Sequence, residues 1–336
     1  PSYVEKNLIP RIYGFEILMA SYTIAHLKLS YTLKETGYSG QSKQRLNVFL
    51  TNSLEEATPR ANNLFASWLS DEADAASKVK LNTPVMVVLG NPPYCAESKN
   101  RGDWITDLMN TYKKEPGGVL PLKERNPKWI NDDYCKFIRM AQSYIDKNGE
   151  GILAFINPHG FLDNPTFRGM RWSLLNTFDK IFVFDLHGNV KKKETCPDGA
   201  KDENVFDIMQ GVSINFFIKS GKKPKGEPAS VYHADLYGGR EYKYDFLGKN
   251  NIDTVSYAEV SPQAPMYFFI PKDLALESEY QKGYSLDKIF GDFNVGVVTA
   301  DDNTLVSAST EELIANVESK YNISANKTLV KRFAHR

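Results

Sequence analysis

The stretch VLGNPPYCAESKN, Val88 to Asn100, leaves an apolar run through Asn91, Pro92, Pro93 and Tyr94. Proline holds φ at about −65° and offers no N–H. A residue before proline is pushed to extended geometry, which applies to both Asn91 and Pro92. The result is a stiff turn whose carbonyls are fixed in direction, and Asn91 adds a side-chain carbonyl acceptor. Two preset acceptors and one flat ring make a receptor for a planar group that carries an amine. The amine donates two hydrogen bonds while the plane stacks on Tyr94. An exocyclic amino group on a nucleobase turned out of its helix has this shape. For the four residues taken alone, a rigid turn closing a strand is the competing reading.

Such a turn needs a sheet behind it. PVMVVLG, bounded by Pro84 and Gly90, predicts a strand buried on both faces, as in a parallel sheet. Upstream, RIYGFE predicts a strand that runs into a helix. Leu18, Tyr22, Ala25 and Leu29 share a face of that helix, and Gly37 ends it. A strand over Leu46 to Asn52 follows, then a polar, Ala-rich helix or surface insertion. Downstream, the Gly-, Pro- and charge-rich residues from Cys95 to about Pro127 read as a long loop. A helix with an Asp start and a Gly stop comes next, with Tyr134, Ile138, Ala141 and Ile145 on one face. GILAFINP predicts a buried strand, and NPTFRGMRWSLLNTF a helix with Asn164 as N-cap and Pro165 at its first position. KIFVFDLHG and GVSINFFIKSG predict two strands with no helix between them, hence an antiparallel pair at one edge of the sheet. Strands alternating with helices give an α/β fold. Beyond 225 the pattern weakens; EPASVYHADLYG and APMYFFIP predict strands, and TEELIANVESKY a helix.

With 336 residues, 42% apolar and 24% charged, the chain suits one large soluble domain or two smaller ones. Lys plus Arg and Asp plus Glu both number 41, so the net charge is zero and no global basic field advertises nucleic acid. Local clusters must supply such contacts. VKKKE (Val190 to Glu194) and KSGKKPKG (Lys219 to Gly226) are the candidates. Cys95, Cys135 and Cys196 lack metal-ligand spacing and fit a reduced, cytoplasmic protein. No apolar run is long enough to cross a membrane, and no signal-peptide pattern opens the chain. It opens on Pro1, and patterning begins at once, which points to a piece of a longer protein.

With its flanks, Asn91-Pro92-Pro93-Tyr94 resembles the catalytic motif of S-adenosylmethionine-dependent amino-methyltransferases, above all the N6-adenine DNA methyltransferases. GFEILMASYTIAHLKL, LTNSLEE, ERNPKWINDDYCKFIR, NPHGFLDNPTFRGMR and FDLHGN resemble, in order, the methyltransferase part of Type ISP restriction-modification enzymes and their Type II relatives. The similarity covers most of residues 1–220. The last portion, GDFNVGVVTADDNTLV through VKRFAHR, resembles the segment that leads into their target-recognition region.

The resemblance implies a three-layer αβα Rossmann-like methyltransferase sheet over residues 1–225, with 226–336 as a smaller C-terminal unit leading into target recognition. It implies S-adenosylmethionine as cofactor, double-stranded DNA as partner, and helicase and nuclease parts that are not in this sequence. Glu16 matches the acid that binds the cofactor ribose. Asn52 stands where many relatives carry Asp, the contact to the cofactor adenine amine. Asn91 and the Pro92 carbonyl would grip the target amine, with Pro93 in the same motif and Tyr94 stacked on the base. Phe216 and Phe217 are candidates for a second aromatic against the base. Lys191, Lys192 and Lys193 would contact DNA phosphates. The chemistry calls for no metal. The five histidines read as structural; His159 and His187 follow strands, where they could line the crevice, with a surface role the reading preferred for each. No Gly-rich loop precedes Glu16, so the sheet is expected to lack its first strand and residues 1–336 alone to bind cofactor weakly. Two other readings fit the motif: a protein glutamine N5-methyltransferase, and a DNA-binding module with an inactive pocket.

Overall fold

The computed structural model describes residues 3–38, 45–56, 67–124, 127–224, 226–291 and 301–321. The chain divides into two compact units, Pro1–Lys272 and Asp273–Arg336. In the second, helices α7 (Glu277–Tyr280), α8 (Leu286–Ile289), α9 (Asp302–Leu305) and α10 (Thr310–Tyr321) are described. Lys320 of α10 pairs with Asp301 at 2.6 Å. Much of the portion expected to lead into target recognition, residues 292–300 and 322–336, lies outside the described residues.

Among the described residues the first unit holds two sheets. β1 (Tyr13–Glu16) and β2 (Asn47–Leu50) pair in parallel, followed in sequence by α1 (Met19–Glu35) and α2 (Ser67–Asn82) respectively. The larger sheet runs β3 (Val87–Gly90), β4 (Gly151–Pro158), β6 (Val212–Lys219), β5 (Lys180–Asp185), β7 (Ser230–Asp235), β8 (Ala258–Val260). β6 is antiparallel to both β4 and β5, as the missing helix between β5 and β6 required. β6 therefore lies inside the sheet, and the β5–β6 pair is not at an edge because β7 adds in parallel to β5 and β8 closes that side. The expected boundary at 225, itself outside the described residues, therefore falls between two strands of one sheet.

Helix α4 (Asp133–Asn148) packs on β4, with α3 (Asp103–Met109) beside it. Asp132 caps α4 by accepting from Tyr134 N, and Gly149, at φ 85°, ends it. Ile138, Ala141 and Ile145 are fully buried against Leu153, Phe161 and Phe217. Asn164 caps the turn that leads into α5 (Arg168–Thr177). α6 (Arg240–Lys249) follows β7.

Three expectations change. The segment 95–127 is not all loop, since α3 sits within it. β3 is not buried on both faces: Val87 is 52% and Leu89 75% exposed, because β3 pairs with β4 alone among the described residues. APMYFFIP forms no strand. Its Met266 carbonyl is taken by Arg171, which is fully buried and donates through Nε at 2.9 Å and Nη2 at 2.7 Å. Phe269 drops into the core.

Between β5 and β6 the chain makes a long loop, 186–211, held from α6. Lys243, fully buried, donates to Asp202 Oδ1, Leu186 O and Glu203 O, each at 2.7 Å. Asp202 also accepts from Gly188 N and Gly238 N. Removing one partner of a buried pair strands the other charge. Lys243→Met is expected to cost about 3–5 kcal/mol, read as a lower urea midpoint, with Asp202→Asn recovering part of it in the double variant. A loss indistinguishable from that of an exposed lysine on α6 would show that the pair anchors nothing.

Candidate active site

β3, β4, β5 and β7 run in one direction, so their carboxyl ends share a rim, and β6 begins there. In open α/β sheets ligands bind at that rim. Asn91 to Tyr94 leaves β3 at it. Asn91 and Pro93 are exposed, Pro92 is buried and Tyr94 is half-buried. The Tyr94 ring packs against both apolar clusters of the large sheet, one around Leu153 and Phe161, the other around Phe184 and Val212. Its hydroxyl lies 2.6 Å from Asn91 Oδ1 and 3.1 Å from Ile156 O. A phenol has one proton to donate, so these acceptors share it. Burial pushes the phenol well above its ordinary pKa, which keeps it a donor. The Asn91 oxygen is thus aimed and satisfied from within the chain, and an incoming amine exchanges one hydrogen bond for another.

The far side of the turn is pinned to the start of α4. Cys95 N donates to Asp132 Oδ1 at 2.9 Å, and Asp133 N to Cys95 O at 3.2 Å. Ser98 and Asn100 both donate to Asp133 Oδ1, at 2.5 and 3.0 Å. Asn52 joins this network, its Nδ2 donating to Asn100 Oδ1 at 2.9 Å. Its own oxygen accepts from Leu54 N, a local turn role. Glu16 ends β1, and its Oε1 accepts from Ile17 N and Leu18 N at 2.8 and 2.9 Å. A carboxylate offers about four lone-pair sites, so the turn bonds leave capacity for hydroxyls.

The structure separates other expected residues from this rim. Phe217 is fully buried against Phe178, with ring centroids 5.3 Å apart. Phe216 pairs in register with Ala154 and Phe182, four residues along β6 from its rim end at Val212, roughly 13 Å at strand rise. Neither aromatic reaches the rim. Phe206, in the 186–211 loop and not singled out from the sequence, is half-buried against the same apolar cluster that Tyr94 touches. It precedes β6 without periodicity, so only the topology reveals it. The two basic clusters also part. Lys191, Lys192 and Lys193 are exposed on the loop that leaves β5 at the rim. Lys219 and Lys223 sit at the opposite, amino-terminal rim, where Lys219 pairs with Asp146 and Lys223 donates to Leu175 O and Phe178 O at the end of α5. An open cleft lined by Asp146, Trp172, Lys219 and Lys223 lies at that opposite rim and shares no residue with the turn.

His159 and His187 are not surface residues; both are buried at the carboxyl rim. His159 Nδ1 faces Asp185 at 2.9 Å, and His187 Nε2 faces Asp235 at 2.8 Å. Burial opposes charge on His187, but hydrogen bonds to Asp235 and Glu194 outweigh it and push its pKa up to about 9. Burial likewise opposes charge on Asp185, and the His159 hydrogen bond, the two nearby imidazoles and the His187 N–H together outweigh it, holding the carboxyl below its usual range. Polar residues scattered over 159–235 carried no sequence spacing that would have gathered them.

Among the described residues no helix is long and apolar enough to cross a membrane. Comparison with solved structures establishes the fold. An ATP-dependent Type ISP restriction-modification enzyme, LlaBIII, solved bound to DNA, is 22% identical over the whole chain, with a TM-score of 0.74. A DrdV–DNA complex is 22% identical over 95% of the chain, TM-score 0.72. A nuclease-deletion mutant of the Type ISP enzyme LlaGI with a DNA substrate mimic is 20% identical over 94%, TM-score 0.71. The chain spans 24%, 32% and 30% of those three chains. No curated protein sequence matches. The family model described as Eco57I restriction-modification methylase matches residues 10–191, more than half of the sequence, and the chain belongs to that family.

Proposed function

We propose that this chain is the catalytic core of an adenine-specific DNA methyltransferase within a restriction-modification polypeptide, acting on the N6 amine of an adenine turned out of double-stranded DNA. The observation that carries the reading is the rim turn. Asn91 Oδ1 is exposed and directed, the prolines fix the carbonyl beside it, and Tyr94 presents a half-buried ring anchored through its hydroxyl. The Asn91 and Pro92 oxygens accept the two N–H bonds of the amine and draw its lone pair out of conjugation with the ring. Tyr94 stacks on one face of the base and Phe206 takes the place assigned above to Phe216 or Phe217. S-adenosylmethionine supplies the electrophilic methyl when bound. Glu16 takes its ribose hydroxyls, and Asn52, its oxygen committed to Leu54, closes the pocket wall beside Asn100. Lys191, Lys192 and Lys193 reach phosphates and position DNA without reading sequence. The segment from 226 onward leads toward target recognition. Membership of a restriction-modification methylase family favours DNA over a glutamine side chain as methyl acceptor.

A cofactor pocket of this type needs a Gly-rich turn. A parallel strand added to the open edge of β3 would cover Val87 and Leu89 and bring such a turn to the rim.

Transfer of labelled methyl groups to DNA by the complete polypeptide is expected to fall roughly two to three orders of magnitude in Asn91→Ala, the loss typical of one directed polar contact. Tyr94→Ala and Phe206→Ala should each lose about 1–3 kcal/mol of base stacking, seen as weaker DNA affinity with cofactor affinity unchanged. Full activity in Asn91→Ala would end the reading. Replacing Lys191, Lys192 and Lys193 with Ala should flatten the salt dependence of DNA binding by about one unit of slope for each phosphate no longer neutralised, and an unchanged slope would remove these lysines from the interface. Calorimetric titration of residues 1–336 with S-adenosylmethionine should give no micromolar binding; micromolar affinity would show the pocket to be complete without an added strand.

A further inference from the structure

Outside the rim turn, two histidines and a glutamate converge in a way that methyl transfer does not use. His159 Nδ1 is 2.9 Å from Asp185 Oδ1. Its other nitrogen, Nε2, lies 3.1 Å from Asn189 Nδ2. The Asn189 amide is oriented by Lys192 N, which donates to its Oδ1 at 3.1 Å. Asn189 therefore presents N–H to His159, so Nε2 carries a lone pair and the ring proton is on Nδ1. His187 is oriented in the same manner by the opposite nitrogen: Nε2 lies 2.8 Å from Asp235 Oδ1, and Nδ1 faces Glu194 Oε1 at 3.3 Å. Each imidazole is held at one nitrogen by a carboxylate; the other nitrogen meets Glu194 in His187 and the Asn189 amide in His159. This is the arrangement by which outer carboxylates fix the tautomer and direction of metal-binding histidines.

The geometry agrees. One donor atom from each of His159, His187 and Glu194 lies within 4.8 Å of the other two. Ligands at 2.0–2.2 Å from a tetrahedral zinc stand about 3.4 Å apart, and the His187–Glu194 pair is already at that separation. The two rings meet edge to face at 85°, with centroids 6.1 Å apart. Gly211 lets the His159 ring sit there: a Cβ at that position would be 2.4 Å from its Cε1. His187 is held by the stacked Tyr237 ring at 3.8 Å.

We propose that His159, His187 and Glu194 form a structural site for a divalent first-row transition metal, best matched by zinc, with Asp185 and Asp235 as its orienting carboxylates. The ion takes the lone pair now met by the Asn189 amide and replaces the proton on His187 Nδ1, which leaves to solvent. It ties the end of β4 to the 186–211 loop at the rim. A neighbouring grouping of Asp185, His233 and Asp235 offers one imidazole, and an ion there would strip both orienting carboxylates from His159 and His187.

The test uses zinc alone as probe. Crystals of the chain grown with zinc chloride, measured at the zinc edge, should show one anomalous peak between the three side chains. Calorimetry on chelator-stripped protein should give one equivalent bound. Glu194→Gln, chosen because Glu194 is the most accessible of the three, should weaken binding at least tenfold. Asp235→Asn should weaken it about 10- to 100-fold, as loss of an orienting partner does. A peak on His233, no peak, or unchanged affinity in Glu194→Gln would each overturn the assignment. If a variant fails to fold, the anomalous peak in the unaltered chain still decides it.

Discussion

A loop can be buried only where its backbone N–H and C=O groups find partners, and this constraint organises the working rim of the protein. Between β5 and β6 the chain from 186 to 211 contributes no strand, yet Leu186, Asp202, Asn204 and Val205 are buried. Side chains stand in for the missing ladder. Asn204 Nδ2 donates to Gly188 O and Gln210 O, and its oxygen accepts from Phe206 N. Arg240 takes Asn204 O and Phe206 O, Tyr244 takes Val205 O, and Lys243 takes Leu186 O and Glu203 O. At the other end His187 N is met by Asp185, and Gly188 N by Asp202. Gly188, at φ 78°, is packed so closely that a Cβ would fall 2.4 Å from Asn204 Cα. Phe206 and the exposed lysines of the loop owe their positions to this framework.

The rim turn obeys the same logic on a smaller scale. Two prolines remove donors that would otherwise need partners, and the Tyr94 hydroxyl donates to the exposed Asn91 oxygen and so fixes its direction. The residues that follow are fixed by Asp132 and Asp133 at the start of α4, so the turn is braced from the helix side as well as from the strand.

Most of the strands and the longer helices were legible in the sequence because their signals are local. Asp132 and Gly149 bound α4, Asn164 and Pro165 open the turn into α5, and the run of apolar residues marks β4. The rim turn was legible because proline acts on its immediate neighbours. What escaped depends on distant partners. β3 has the composition of an interior strand but only one neighbour among the described residues. APMYFFIP has strand composition, yet a buried arginine claims its carbonyl. Phe216 and Phe217 were both candidates for a base-facing ring, but register sets Phe216 four residues from the rim and Phe217 is fully buried, whereas Phe206 sits in a segment with no periodicity at all. The carboxylates around His159 and His187 come from β5, β7 and a loop, and nothing along the chain announces that they meet.

Several supports of the 186–211 loop come from α6, which lies beyond β7 and past the point where the sequence pattern weakens. A recombination event or an engineered chimera joined near 225 would give the residues before it a helix from another parent. Asp202 would then be buried opposite a residue never matched to it, and Gly188 and Asn204 would lose the frame that fixes them. A joint that leaves the loop and its supports together therefore falls only after Lys272, where the first compact unit ends.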